Sequence, residues 1–398
     1  MAQMHISPRI RGFICTTAHP VGCARNVKLQ LETALARREA LDKRYRVLVI
    51  GASNGYGLAA RIAALGLYGA DTVGVFYDRP PETDKTATPG FYNTAAFHEH
   101  ALRMGAVSVN LNGDAFVPEI KEAAIAAIRE RMGQVDAVVY SLAAPRRTDP
   151  VTGEVFKSAI KPVGETYIGK TIDLNKEVIT EVTMEPATEE DIRGTVGVMG
   201  GDDLRLWVDA LETAGVLAQG VRVNPFSYIG PTLTWPMYRS GTVGKAKEHL
   251  EETTKALDAR LRATHDGMAH VSVNKAVITQ ASSAIPVVPL YISLLYRIMR
   301  ERGIHEDPIH QMIRLFTTHT GPGRTPALDA EGRIRLDDRE LAPEIQKEIL
   351  HIWNGVTTDN FRDLSDYDAF KRGFRQLFGF EVDGINYEVP VEIDARIE

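Results

Sequence analysis

An α/β fold, a doubly wound parallel sheet with helices on both faces, is predicted by three observations. Short β-branched runs alternate with Ala/Leu-rich runs at helical spacing through the first part of the chain. A glycine-rich turn, Gly51 to Gly57, stands where the period changes from strand to helix. The composition, 44% apolar and 25% charged over 398 residues, is that of a globular chain long enough to bury a large core.

Each element follows in order. Glu32 to Arg44, rich in Ala, Leu and charge, reads as a surface helix. Arg46 to Ile50 reads as a buried strand, Leu58 to Leu67 as the helix after the glycine turn, and Asp71 to Tyr77 as a second strand. Ser108 to Leu111 is the third strand, Glu119 to Met132 a helix, and Asp136 to Tyr140 the fourth strand. Leu217 to Val223 and Met268 to Ile278 are each expected to add a strand, with Ile285 to Met299 an apolar helix beside them. Between Pro145 and Val216 the alternation breaks into polar chain bearing Lys157, Lys161, Lys170 and Lys176, read as an elaboration beside the sheet. The tail from Thr317 carries helical patches around Glu340 to Trp353 and Tyr367 to Leu377.

Charge and composition exclude several classes. Lys+Arg number 46 against 52 Asp+Glu, a net charge of −6, which argues against nucleic acid or an anionic membrane as partner. Two cysteines, Cys15 and Cys23, cannot build a disulfide framework or a four-cysteine zinc site. The most apolar stretch, Ala284 to Leu295, is too short to span a bilayer and contains Pro286 and Pro289. The N-terminal residues lack a signal-type apolar run, so the cytoplasm is the expected location. His98-Glu99-His100 lacks further metal ligands and reads as a solvated helix edge, and Cys15, Cys23 and His19 match no zinc spacing. Gly194 to Gly201 lacks the lysine and serine of a phosphate loop and reads as plain loop.

Gly51-Ala52-Ser53-Asn54-Gly55-Tyr56-Gly57 lies between a predicted strand and a predicted helix, where glycine lets backbone turn tightly against a pyrophosphate at the helix N-terminus. Asp78, at the end of the second strand beside Tyr77, is placed to accept hydrogen bonds from a ribose and to repel a 2′-phosphate, while Arg79 next to it could accommodate one. Asp114 ends the third strand near an adenine edge, and Ser141-Leu142-Ala143-Ala144 supplies small residues after the fourth. Together these predict a dinucleotide site. Downstream, Tyr238 is followed by Lys245 and Lys247. A phenol can donate a proton where negative charge develops, and a nearby ammonium favours its ionised form. Tyr228 is near enough in sequence to share that pocket. Arg146-Arg147 reads either as a phosphate contact or as paired surface charge.

Gly51 to Gly57, Asn112-Gly-Asp-Ala-Phe116, Tyr140-Ser-Leu-Ala-Ala-Pro-Arg-Arg147, Tyr238 with Lys247 and Thr279-Gln-Ala-Ser-Ser-Ala-Ile-Pro286 resemble the FabV-type enoyl-acyl-carrier-protein reductases, whose relatives include the trans-2-enoyl-CoA reductases. The resemblance extends to Arg11-Gly-Phe-Ile-Cys-Thr-Thr-Ala-His-Pro20 and covers essentially the whole chain. It implies an enlarged short-chain dehydrogenase relative, Rossmann-like, with insertions covering the substrate site. The implied reaction is NADH-dependent reduction of the trans-2 double bond of an enoyl thioester, on CoA or acyl carrier protein, closing each round of type II fatty-acid elongation. Gly51, Ala52, Ser53, Asn54, Gly55 and Tyr56 would line the pyrophosphate, Tyr77 and Asp78 the adenosine ribose, Asp114 and Ala115 the adenine, and Leu142 and Ala143 the cofactor's length. Tyr238 would be the proton donor, Tyr228 would contact substrate, and Lys247, by the family spacing, would bind cofactor. Ala276, Val277, Ile278 and Thr279 would border the nicotinamide. Asp78 stands where a glutamate is also familiar in the family.

The expected organisation is one compact unit, 1–398: a dinucleotide-binding part 45–145, an inserted substrate-cover segment 146–225, a catalytic part 226–316 holding the nicotinamide and acyl pocket, and a C-terminal extension 317–398. A monomer is expected, with no flavin and no metal, although the extension resembles a region described in the family as flavin-binding. Rival readings are a carbonyl reductase acting on 3-oxoacyl thioesters and a silent NAD-binding regulator. Thr242, four residues after Tyr238, counts against the first, since such reductases carry lysine there.

Overall fold

The structure, a computed structural model, describes residues 3–398. Strands β1 (Arg46–Ile50), β2 (Asp71–Phe76), β3 (Ser108–Asn112), β4 (Val135–Tyr140) and β5 (Leu217–Ser227) stand where the pattern puts them. β5 runs across residue 225, so the expected boundary between the inserted and catalytic parts falls inside a strand. The strand expected over Met268 to Ile278 is two short pieces, β6 (Met268–Ala269) and β7 (Ser272–Val273), laid in succession along β5. A last strand, β8 (Ile334–Arg335), comes from the C-terminal extension and was not signalled by any apolar run. The order is β8-β7-β5-β4-β1-β2-β3, every neighbour parallel, with winding reversing between β1 and β4.

The continuous apolar strands follow from burial on both faces. In β1, Val47 and Val49 join one core while Leu48 and Ile50 join the other. The first core packs α1 (Pro20–Leu35), α2 (Gly55–Tyr68), α3 (Pro89–Arg103) and α10 (Pro308–Arg314) on the sheet. The opposite core holds α4 (Pro118–Arg131), α6 (Asp202–Thr213) and α7 (Thr242–His265). A third core, off the end of the sheet, surrounds α9 (Val288–Glu301) with α11 (Pro343–Gly355), α12 (Tyr367–Gln376) and the hairpin of Tyr167–Asp173 and Val178–Met184.

Local expectations fail where caps and close contacts decide. The helix expected over Glu32 to Arg44 is α1, which begins at Pro20 with the His19 ring accepting the Gly22 N–H, and ends at Leu35. Gly194 to Gly201 is not loop. It overlaps α5 (Glu189–Met199), started by the reciprocal Thr188–Asp191 capping box. Gly194 and Gly197 serve close approach there: a Cβ would stand 2.4 Å from the Lys157 carbonyl oxygen and 2.4 Å from the Phe156 ring. Arg147 is neither phosphate contact nor surface charge. It is 1% exposed and donates to the Gly197 carbonyl, while Arg146 is exposed. The apolar helix begins at Val288 because buried Val287 takes φ 76, its N–H donating to Thr171 Oγ1.

Candidate active site

The C-terminal ends of β1 and β4 meet in a narrow crevice. A Cβ on Gly51, whose φ is 86, would lie 2.0 Å from the Ser141 carbonyl oxygen, and one on Gly57 would lie 1.9 Å from that of Gly51. Only glycine leaves this cradle open. α2 starts immediately after it with Asn54 at the N-cap and no side-chain cap, so first-turn N–H groups and the positive end of the helix dipole remain for an anion. Asn93 holds the turn from behind, donating to the Ser53 carbonyl and Asn54 Oδ1. These features fit a pyrophosphate. The Tyr56 phenol does not take part, since it donates to the Lys275 carbonyl at 2.7 Å and lies 3.1 Å from Gln311 Oε1. Tyr56 therefore contributes backbone alone to that turn.

At the next strand ends, the Asn112 amide clamps β3 to β2 by accepting the Asp78 N–H and donating to the Asp78 carbonyl. Asp78 Oδ1 accepts from Thr88 Oγ1 at 2.7 Å, which leaves its second oxygen without a partner among the described residues. Tyr77 is 81% exposed. Asp114 is exposed and caps the Phe116 N–H, whereas Ala115 is buried, its carbonyl held by Lys121 Nζ and Trp207 Nε1. Leu142 is half-buried and Ala143 exposed just past Ser141, whose N–H is paired to Ile50.

Beyond β5 two phenols meet edge to face: the Tyr228 and Tyr238 rings are 4.7 Å apart at 80°. Tyr238 sits in the turn before α7, and Gly244 in the first turn of that helix presses on its carbonyl. Its hydroxyl has no hydrogen bond among the described residues, and burial with the Glu340 charge pushes its ionisation well above the usual phenol range. On α7 the two lysines diverge. Lys245 points out to Glu248, whereas Lys247 Nζ donates inward to the Phe226 carbonyl at 3.3 Å, and burial lowers it to about 8.

The run Ala276-Val277-Ile278-Thr279 is fastened by side chains rather than by a neighbouring strand, which is why it leaves the sheet. Lys275 N–H donates to Gln311 Oε1, Ala276 N–H to Glu340 Oε2, Ile278 N–H to the Tyr296 hydroxyl and Thr279 N–H to Ser282 Oγ. Val277 N–H has no acceptor among the described residues. Glu340, Gln311 and Lys275 were not anticipated from sequence. Lys275, a lone lysine in an apolar run and 2% exposed, was the visible signal; Glu340 was hidden in the charged series Asp337-Asp338-Arg339-Glu340. Among the described residues no cluster of three or more His, Cys, Asp or Glu could hold a metal ion, and no helix is long and apolar enough to cross a membrane.

A glycine cradle at the reversal of winding, faced across the sheet's end by a buried phenol and an ammonium, is how nicotinamide-dependent oxidoreductases are built. Residues 85–320 match the family described as the trans-2-enoyl-CoA reductase catalytic region, and residues 5–83 its NAD(P)H binding domain. Residues 328–391 match a segment described as the enoyl reductase FAD binding domain. The chain is 50% identical over 389 residues, 98% of either chain, to an enoyl-acyl-carrier-protein reductase (NADH) of Opitutus terrae. It is 48% identical over 395 residues, 99% of either chain, to a trans-2-enoyl-CoA reductase (NADH) of Ruminiclostridium cellulolyticum. The crystal structure of the Clostridium acetobutulicum trans-2-enoyl-CoA reductase in complex with NADH superposes with TM-score 0.93 at 38% identity, covering 98% of each chain. The chain belongs to the trans-2-enoyl-CoA reductase family.

Proposed function

We propose that this protein uses NADH to reduce the trans-2 double bond of enoyl thioesters, on acyl carrier protein or CoA, as the closing reduction of a type II fatty-acid elongation round. The observation that carries this reading is the Tyr238 hydroxyl, without a hydrogen-bond partner among the described residues, on a side chain only 8% exposed at the end of the same sheet whose other strand ends form the glycine cradle.

Bound NADH would supply the hydride that adds to C3 of the enoyl thioester. Gly51 to Gly55 and the backbone of Tyr56 receive the pyrophosphate, Asp78 with Tyr77 the adenosine ribose, Asp114 and Ala115 the adenine, and Leu142 and Ala143 the length between. Ala276 to Thr279 border the nicotinamide, with the Val277 N–H free to hold it. As negative charge gathers on the thioester oxygen, Tyr238 donates to it; burial keeps Tyr238 a phenol, hence a donor, until that moment. The Lys247 ammonium then stabilises the phenolate and holds cofactor. C2 then takes a proton from solvent as the enol O–H proton returns to the Tyr238 phenolate, which restores the thioester carbonyl and the phenol and leaves the saturated acyl chain. Ile285 and Val287, in the apolar core that also contains Tyr238, supply wall for the acyl tail.

The segment described as flavin-binding does not fit a flavin. β8 is followed by Asp337, Asp338 and Glu340, carboxylates where a pyrophosphate needs glycine N–H groups, and Asp337 is already paired with Arg335. We read the segment as part of the reductase core, and the protein as a cytoplasmic monomer without flavin or metal.

The test is NADH oxidation, followed by absorbance, with a four- or twelve-carbon trans-2-enoyl-CoA, alongside a 3-oxoacyl-CoA and NADPH. Turnover requiring the enoyl thioester and NADH is expected. Turnover of the ketone alone would reassign the chain to carbonyl reduction, and NADH binding without any turnover would leave a carrier-protein-only reductase or a sensor.

A further inference from the structure

We propose that Glu340, from the C-terminal extension, is a positioning residue for this reduction: it takes up the Tyr228 hydroxyl hydrogen and so leaves Tyr238 as the only phenol that can donate to the thioester oxygen. The inference rests on the enoyl-reductase reading above.

Glu340 is 0% exposed. A buried carboxylate is tolerated only where donors converge on it, and three do. The Tyr228 hydroxyl donates to Oε1 at 3.0 Å, the Tyr291 hydroxyl to the same oxygen at 2.7 Å, and the Ala276 N–H to Oε2 at 2.6 Å. Burial pushes the Glu340 carboxyl up, while the Lys275 charge, the Ala276 N–H and the Tyr291 hydroxyl favour its ionised form; an ionised carboxylate only accepts, so in that form both phenol bonds run toward it. A phenol has one hydrogen. That of Tyr228 is committed to Glu340, and its oxygen can thereafter act only as an acceptor. Tyr238, whose ring meets Tyr228 at 4.7 Å, keeps its hydrogen free. Two adjacent phenols would otherwise compete for one substrate oxygen; the carboxylate makes them unequal. Through Oε2 it also fixes the Ala276 end of the run bordering the nicotinamide. One side chain thus sets the phenol pair and the cofactor wall relative to each other, and it comes from a part of the chain far from either in sequence.

The experiment is a cycle of E340Q, Y228F and the double variant in the full-length protein, with kcat and KM for a trans-2-enoyl-CoA, NADH affinity by fluorescence, and thermal melts. Glutamine keeps the volume but turns one acceptor oxygen into a donor facing the phenols. E340Q is expected to lower kcat about 10–100-fold, the scale of a misplaced reacting group. NADH affinity should stay within about 3-fold, and E340Q should add less than about 3-fold once Tyr228 is phenylalanine. A kcat within about 3-fold of wild type, losses that multiply across the cycle, or a loss confined to NADH affinity would each overturn the role. Should E340Q not fold, E340D, which keeps the charge but withdraws it by one methylene, enters the same cycle and is judged by the same outcomes. The wild-type protein separates the two claims: its failure to reduce enoyl thioester would overturn the functional reading, whereas normal wild-type turnover with an indifferent E340Q overturns Glu340 alone.

Discussion

Tyr238 and Lys247 are both pushed by burial toward their uncharged forms, and the two shifts have opposite catalytic meaning. For Tyr238 the shift preserves the donor. Y238F should therefore lower kcat about 10²–10⁴-fold, the usual weight of a positioned acid, with NADH affinity almost unchanged in a fluorescence titration. For Lys247 the shift is a liability. With its proton lost near a pKa of about 8, instead of the ordinary lysine range, the ammonium form decays as pH rises through that value. The expected profile of kcat/KM falls above about pH 8, and K247R, whose guanidinium stays charged, should move that limb upward. Lys275, also lowered to about 8 by burial, remains in K247R and sets how flat the profile becomes. Asp78 has one oxygen committed to Thr88, so ribose recognition falls to the other. D78A should raise the NADPH-to-NADH ratio of kcat/KM about tenfold or more, each tenfold being about 1.4 kcal/mol; an unchanged ratio would mean the acid does not read the ribose.

Among the elements, β1, β2 and β4 were legible because they are almost wholly buried on both faces and so written as mainly apolar runs, whereas β3, half-buried at the sheet edge, and the more polar β5 were legible from their place in the alternation of strands and helices. The cradle was legible for a related reason: its glycines answer to backbone collisions that no other residue survives. G51A should accordingly lose about 1–3 kcal/mol of stability, the scale of local backbone strain, and most of its NADH affinity, seen as a lower melting temperature and a failed NADH titration. Tyr238 and Lys247 could be read from spacing, and the structure adds why Lys245, two residues earlier on α7, cannot substitute: it points to the opposite side of the helix. What sequence could not show depends on partners distant along the chain. Gly194 and Gly197 looked like loop residues because the strand Val155–Lys157, whose Phe156 and Lys157 press on them, is not recognisable locally as their partner. Gln311 and Glu340 looked like solvated polar residues because nothing near them in sequence reveals that they end among the amides of Lys275 and Ala276. β8, two residues long, carries too little pattern to be noticed.

Across the whole molecule, the extension ties two of the three cores together: it supplies β8 to the sheet, with Ile334 and Leu336 in the first core, and Phe370 and Trp353 to the packing around α9. The 398-residue chain should unfold in a single calorimetric transition. A version ending at residue 327 should show no cooperative melt and no NADH binding; retained NADH binding would mean that the dinucleotide-binding part stands alone. The placement of β8 also bears on how the protein is made. β7 is complete long before its outer neighbour exists, because helices α8 (Gln280–Ala284), α9 and α10 are synthesised between them. At about 5–20 residues per second on the ribosome, the nascent sheet spends several seconds with its β7 edge unpaired and its cofactor wall unfastened. During that interval the edge is open to pairing with another chain, so conditions that slow translation late in the message should cost yield to aggregation before they cost anything in the activity of the finished molecules.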